Sequence, residues 1–543
     1  METLFYNGKI ITMTAASGEE ECASSPEAVL VRDGKIEAVG KLDMLSALAG
    51  KDVEKRNLEG KCLMPSFIDP HSHVIFNGQM SQWAQLADCG SFDDVVETLQ
   101  AYAAEKEIGP GGVLLGFGYD HNALQEQAHP DRRVLDRVST DYPIMILHTS
   151  VHLCCANSKA LELGGITAQT PDPDGGRIDR FENGEPTGYL EEAAAWQGLF
   201  MKLVPTSEAG TSLTVVADQM QEAYIKNGVT TVQEGASSAD QVKLLKRLST
   251  IGALKVDVIS YPTTECAREV FRKNPQLVRK YENHLKLGGY KYILDGAPQG
   301  RTAWMSEPYE AVSEGDDPDY CAFPWHTDEE MYQAALQAVT DGQQLLVHCN
   351  GDASSEQYLN AYEKVLSETG DTRDLRPVMI HCQTVRNDQL DRMAAIPMVA
   401  SIFVGHVYYW GDVHLRNFGE KRANHISPVR DALDRGIVVN LHQDSPVTVP
   451  SMLHSIWVAV NRLTRSGRVL GADQRISVYE GLKAGTIGGA YQYFEEDSKG
   501  TIEPGKRADL VILDRSPLEV DPMEIRDIKV LETIKDGETI YQA

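Results

Sequence analysis

The segment Pro65-Ser66-Phe67-Ile68-Asp69-Pro70-His71-Ser72-His73 places two imidazoles two residues apart. On a strand, such residues point to the same face, so His71 and His73 can share one metal ion. Other chemically able side chains end short apolar runs further along. Lys291 stands in Tyr290-Lys291-Tyr292-Ile293-Leu294-Asp295, His348 in Leu346-Val347-His348, His381 in Met379-Ile380-His381, and Asp444 in Leu441-His442-Gln443-Asp444. Imidazole and carboxylate are ligands suited to zinc and related divalent ions. An isolated His-x-His is open to a second reading, two half-buried histidines satisfied by hydrogen bonds, and Asp444 before Ser445-Pro446 to that of a turn or capping residue. The recurrence of such residues at strand ends favours the metal.

Elements must carry these side chains to one place. Eight apolar runs alternate with helical stretches, at 66–73, 230–235, 255–261, 290–296, 345–349, 378–381, 398–404 and 438–444. That rhythm predicts an α/β chain folded as a closed (β/α)8 TIM-like barrel, whose strand ends converge at one mouth. About 150 residues separate the first run from the second, too many for a βα connection, so a subdomain at about 74–221 is inserted over that mouth. Alternating apolar residues at both ends of the chain predict a small β-sandwich built from 1–65 plus 490–543, with the barrel over 66–489.

Composition narrows the alternatives. The formal charge of -28 argues against a nucleic-acid surface, which is basic. No apolar run reaches the roughly 18–20 residues of a membrane span, and the first residues lack the pattern of a signal peptide, so a cytoplasmic protein without membrane partners is expected. Nine cysteines with no repeated CxxC spacing read as reduced thiols. Cys349 and Cys382 each follow a candidate histidine and so face away from it, which disfavours a Cys-His nucleophile.

The motifs together resemble the amidohydrolase superfamily, in its YtcJ-like or amidohydrolase-3 branch, which includes N-substituted formamide deformylase and an exoenzyme regulatory protein. The likeness spans nearly the whole chain. It rests on the opening around His71 and His73, Asn157-Ser158-Lys159-Ala160-Leu161, Gly184-Glu185-Pro186-Thr187-Gly188, Gly228-Val229-Thr230-Thr231-Val232, and Asp295-Gly296 followed by Arg301-Thr302-Ala303. It extends to His348 with Gly351-Asp352, and to Gly505-Lys506-Arg507-Ala508-Asp509-Leu510. The resemblance implies one or two divalent ions, with zinc expected: His71, His73 and Asp444 holding one, His348 and His381 the other, and Lys291 as a carbamylated bridge. Alternatively Lys291 stays unmodified and uncharged beside the dication, ordering water or pairing with Asp295. Ile380 before His381 and Gln443 before Asp444 depart from the branch pattern.

The chemistry so implied is hydrolysis of a carbon–nitrogen bond other than a peptide bond, in a small linear or N-substituted amide. The metal lowers the pKa of water from about 15.7 towards about 7. Asp444 and Lys291 are the catalytic candidates, Asp444 shuttling the proton to the departing nitrogen. Candidate substrate contacts are His152, Arg301, Tyr119 and Asp120, each with a structural reading beside it: a core histidine, a salt bridge, a turn. Deamination of a heterocyclic or amidine-like substrate is the competing reaction, a non-catalytic regulatory protein on a hydrolase fold is the competing class, and a homodimer is the family's expectation.

Overall fold

The computed structural model describes residues 2–173, 175–203, 212–310 and 317–543. Each of the eight predicted runs holds a strand: β1 (Phe67–Ile68), β2 (Val229–Ser237), β3 (Asp257–Pro262), β4 (Gly289–Ile293), β5 (Gln344–Cys349), β6 (Val378–His381), β7 (Val399–Ile402) and β8 (Val439–Leu441). Their residues are buried almost throughout, as befits parallel strands covered on both faces.

The strands pair in parallel but in two arcs. One runs β1, β2, β3 and a short strand Leu285–Leu287, and the other runs β4 to β8 in order. A bridge between Thr263 and Lys291 joins the arcs on one side. On the other side no ladder joins β8 to β1 among the described residues: the Ile68 amide donates to Gly485 O at 3.0 Å, and the His73 amide to Ser445 O at 2.8 Å. The closed hydrogen-bonded barrel expected from the sequence is therefore not what the ladders form. The physical reason is that β1 and β8 are only two and three residues long and bend away into the loops carrying His71 and Asp444. The arcs nevertheless enclose shared core, since Ile68, Ile259, Leu346, Ile380 and Val399 pack in one cluster with Ala490 and Tyr493.

Between β1 and β2 the chain builds its own six-stranded sheet, which includes Leu114–Tyr119, Ile144–His148, Leu153–Ala156 and Pro186–Glu192. Residues 174 and 204–211 of the predicted insertion lie outside the described residues. The two ends of the chain meet in one sheet, where Cys62–Pro65 pairs antiparallel with Leu510–Leu513. A second sheet, led by Glu2–Tyr6 and Ala28–Arg32, shares its apolar core: Phe5, Val29 and Val31 pack with Leu63, Leu510 and Ile534. No described helix is long and apolar enough to cross a membrane.

Candidate metal centre and substrate cavity

Within β4 and β5, at the end of β6 and just beyond β1 and β8, six side chains form one connected group. His71 Nε2 lies 3.4 Å and His73 Nε2 3.5 Å from Asp444 Oδ1. Lys291 Nζ is 3.3 Å from His71 Nε2. His381 Nε2 stands 3.0 Å from His348 Nδ1 and 4.0 Å from Asp444 Oδ2. The structure thus brings together all six residues singled out for a metal.

Whether the group fits a divalent ion is decided by its unpaired atoms. Asp444 Oδ1 is buried without a hydrogen-bond partner, although it faces two imidazole nitrogens. An anionic oxygen left so in the interior is costly unless a cation completes it. Two imidazoles and one carboxylate, with ligand atoms all within 4.8 Å of one another, are a donor set of the zinc type. The residues fit the group.

Backbone strain marks the same place. His381 and Asp444 adopt φ of 76° and 53°, left-handed values that non-glycine residues rarely take and that surrounding structure must enforce. Gly235 at the end of β2 gives the His71 ring its seat, because a Cβ there would lie 2.7 Å from His71 Cε1.

Outer contacts orient the rings, as they do around metal ligands generally. His71 Nδ1 is 2.6 Å from Gln233 Oε1, whose amide nitrogen donates to Pro70 O. His381 Nδ1 is 3.2 Å from His442 Nε2, and His442 Nδ1 is 2.9 Å from Ser401 Oγ. His442 was missed as a functional residue from sequence, although its position two residues before Asp444 was the available signal. Asp295 accepts from the amides of Trp304, Asn350 and Gly351 and from Ser354 Oγ, rather than pairing with Lys291.

Burial sets the charges. It pushes the Lys291 ammonium down to about 7 against the opposing pull of Asp444, so a large share is free amine at neutral pH. Burial drives His71, His348 and His381 well below the usual imidazole range, leaving them neutral and able to bind a metal. For Asp444 burial alone would raise the carboxyl, but His73, His71 and His442 outweigh it and hold it ionised.

The group opens into a cavity of about 490 Å³. Its walls carry His73, Lys291, His348 and Asp444 on one side, and Phe76, Trp196, Trp325 and Val447 as apolar surface. His152 also lines it, with its Nδ1 2.8 Å from Glu192 Oε2 and its ring centroid 5.6 Å from that of His348. Glu192 is fully buried, its other oxygen has no partner, and its φ is 52°. Nothing in the sequence pattern pointed to it. Burial lowers the His152 pKa, but the charge and hydrogen bond of Glu192 more than restore it, for a net rise.

The other expected substrate contacts lie elsewhere. The Arg301 guanidinium sits over the Tyr309 and Tyr320 rings, 5.6 and 5.7 Å from their centroids. The Tyr119 hydroxyl is buried against His129 Nδ1 at 3.0 Å and Cys155 Sγ at 3.1 Å. Asp120 accepts from Trp410 Nε1 at 3.0 Å. None of the three belongs to the cavity wall. Cys349 and Cys382 are fully buried in the main apolar cluster. A larger cavity of about 780 Å³ lies against the terminal sheets among Lys286, Glu495, Lys499 and Arg507. It contains none of the histidines, so chemistry favours the smaller one.

Known proteins resemble the chain over nearly its whole length. The model described as "Amidohydrolase family" matches residues 54–541. The chain is similar to YtcJ of Bacillus subtilis (strain 168), 28% identical with 100% of each chain covered. It is likewise 28% identical to the N-substituted formamide deformylase of Arthrobacter pascens, over 100% of this chain and 98% of that one. Among solved structures, a metal-dependent hydrolase from Pyrococcus horikoshii OT3 superposes with a TM-score of 0.74 at 25% identity, covering 96% of this chain and 99% of that chain.

Proposed function

The chain belongs to the amidohydrolase family of metal-dependent hydrolases, and from that membership we propose that it cleaves a carbon–nitrogen bond other than a peptide bond, in a small linear or N-substituted amide. The observation that carries this reading is the unpartnered Asp444 oxygen between His71 and His73, at the edge of a cavity that His152 also lines, with Glu192 buried behind it. The formamide deformylase relative supports an amide rather than another acyl compound.

His71, His73 and Asp444 would hold one divalent ion, with zinc expected, and His348 and His381 a second. Lys291, with a large share of free amine at neutral pH, would help hold them as a carbamate or stay unmodified and hydrogen-bond water. A divalent ion supplies Lewis acidity, which lowers the pKa of water and polarises a carbonyl. The chain's own residues do the rest. Asp444 accepts a proton from the attacking water as its oxygen bonds to the carbonyl carbon. The same carboxyl returns the proton to the nitrogen as the carbon–nitrogen bond breaks, giving an acid and an amine. His152, whose pKa the charge of Glu192 raises, donates a hydrogen bond to the developing oxyanion in its protonated form. Phe76, Trp196 and Val447 exclude water and pack the apolar substituent.

The test is metal content per chain by elemental mass spectrometry, followed by a panel of N-substituted amides and aminated heterocycles. Wild type is expected to carry metal and to release an amine and a carboxylic acid, with Asp444→Asn lowering kcat by about 10²–10⁴. Ammonia released from heterocycles alone would replace the reading with deamination. A metal-loaded chain inert on the whole panel would leave a regulatory protein on a hydrolase fold.

A further inference from the structure

A second convergence of ligand atoms lies in the inserted sheet. Asp120 and His121 follow the strand Leu114–Tyr119, and His148 ends its parallel neighbour Ile144–His148. His148 Nε2 is 3.2 Å from His121 Nδ1, and the two nitrogens stand 3.7 and 3.9 Å from Asp120 Oδ1. The two carboxylate separations are too long for hydrogen bonds. They resemble instead the edges of a coordination shell, since donors about 2.0–2.2 Å from one tetrahedral ion stand roughly 3.3–3.6 Å from each other. The candidate centre beside the cavity has edges of the same size, 3.4 and 3.5 Å between Asp444 and its two histidines.

We propose that Asp120, His121 and His148 hold a further divalent ion of the zinc class, sharing no ligand with the centre at His71, His73 and Asp444. The surroundings are those of a built site. His148 is fully buried, whereas the side chains of Asp120 and His121 keep 14% and 18% of their exposure, enough for an ion to enter. The second oxygen of Asp120 accepts from Trp410 Nε1, Oδ1 accepts from the Asn122 amide at 3.0 Å and from Asn122 Nδ2 at 3.1 Å, and His148 Nδ1 faces Ser150 Oγ at 2.8 Å, contacts that fix the carboxylate and the ring around the ion. The Ser150 amide also donates to His148 Nδ1 at 3.1 Å. That contact favours a proton on Nε2 in the metal-free chain, so binding at Nε2 shifts this proton to Nδ1, which donates to the Ser150 hydroxyl while the Ser150 amide gives up Nδ1 as its acceptor. Three protein donors leave one position to water.

The ion's place suggests its work. It would tie two strand ends together and anchor them through Trp410 to the helix Gly405–Asn424. The next residues, Ser150, Val151 and His152, are cavity wall. The site is thus a structural clasp for the wall that presents His152.

The experiment titrates metal-stripped full-length chain with Zn²⁺ by calorimetry, in wild type, His71→Ala/His73→Ala, and that double variant with His121→Gln added. The double variant is expected to keep the zinc held by Asp120, His121 and His148 beside any ion at His348 and His381, and His121→Gln to weaken uptake at one site by about 100-fold or more, with the visible Co²⁺ bands of that site lost in parallel. No uptake by the folded double variant, or uptake that His121→Gln leaves unchanged, overturns the proposal. Should the double variant fail to fold, as circular dichroism would reveal, wild type and His121→Gln are compared directly. A stoichiometry lower by one ion supports the site, and an equal one overturns it. Loss of the first centre and loss of the second are read separately, so failure of the proposed hydrolysis leaves this test standing.

Discussion

At the scale of single residues, the Glu192 carboxylate governs the protonation of His152. Because Glu192 holds the imidazole above its ordinary pKa, Glu192→Gln is expected to lower that pKa. Activity that needs protonated His152 would then be lost at lower pH, and the basic limb of the kcat/KM profile would move in the acid direction. A limb that stays in place would remove His152 from the reaction. The residues holding this machinery differ in how readable they were. His71, His73, Lys291, His348, His381 and Asp444 each end an apolar run, where a polar side chain stands out. Glu192 ends a strand of the inserted sheet, and its meaning comes only from the backbone turn that aims it at His152. Arg301 looked like a carboxylate clamp because its sequence neighbourhood is that of a loop beyond a strand end, but two tyrosine faces cover it.

At the scale of elements, all eight strands were legible because each is a buried apolar run between helices. Barrel closure was not, since a hydrogen-bond ladder between β1 and β8 depends on how far each short strand stays extended before its ligand-bearing loop. The opposite ends of the strands are fastened differently. Asp257, which opens β3, is buried and pairs with Lys499 at 2.5 Å, Lys535 at 2.8 Å and His284 at 2.7 Å. This joins the parallel arcs to the terminal sheets through charge. Asp257→Ala would leave two buried ammonium groups short of an anion, Lys499 with Glu495 and Lys535 with Asp509 and Asp536. The expected cost is about 3 kcal/mol, measured by urea unfolding. A loss below about 1 kcal/mol, typical of surface pairs, would show that the network is not needed to hold the sheets together.

Across the whole molecule, buried histidines set the response to acid. Burial pushes His414 and His442 down to about 3 and His454 down to about 4. Above about pH 6.5 they are neutral both folded and unfolded, so they leave stability unchanged. Below it the unfolded chain takes up protons that the native state refuses, and each contributes a loss of up to about 1.4 kcal/mol per pH unit. The urea midpoint of the metal-free protein should fall as the pH drops below about 6.5, and a midpoint constant from there down to about pH 5 would refute this.

The sheet that joins the two ends of the chain also places a delay in the life of each molecule. Pro65 pairs with Leu510, about 445 residues later, and His71 follows six residues after that pairing position. At about 5–20 residues per second, a ribosome needs roughly 20–90 seconds to pass from one to the other. For that interval the strand Cys62–Pro65 lacks its partner Leu510–Leu513, and for most of it the first candidate ligands wait without Asp444. Chaperones that cover apolar edges therefore have a long opportunity at the segment leading into His71.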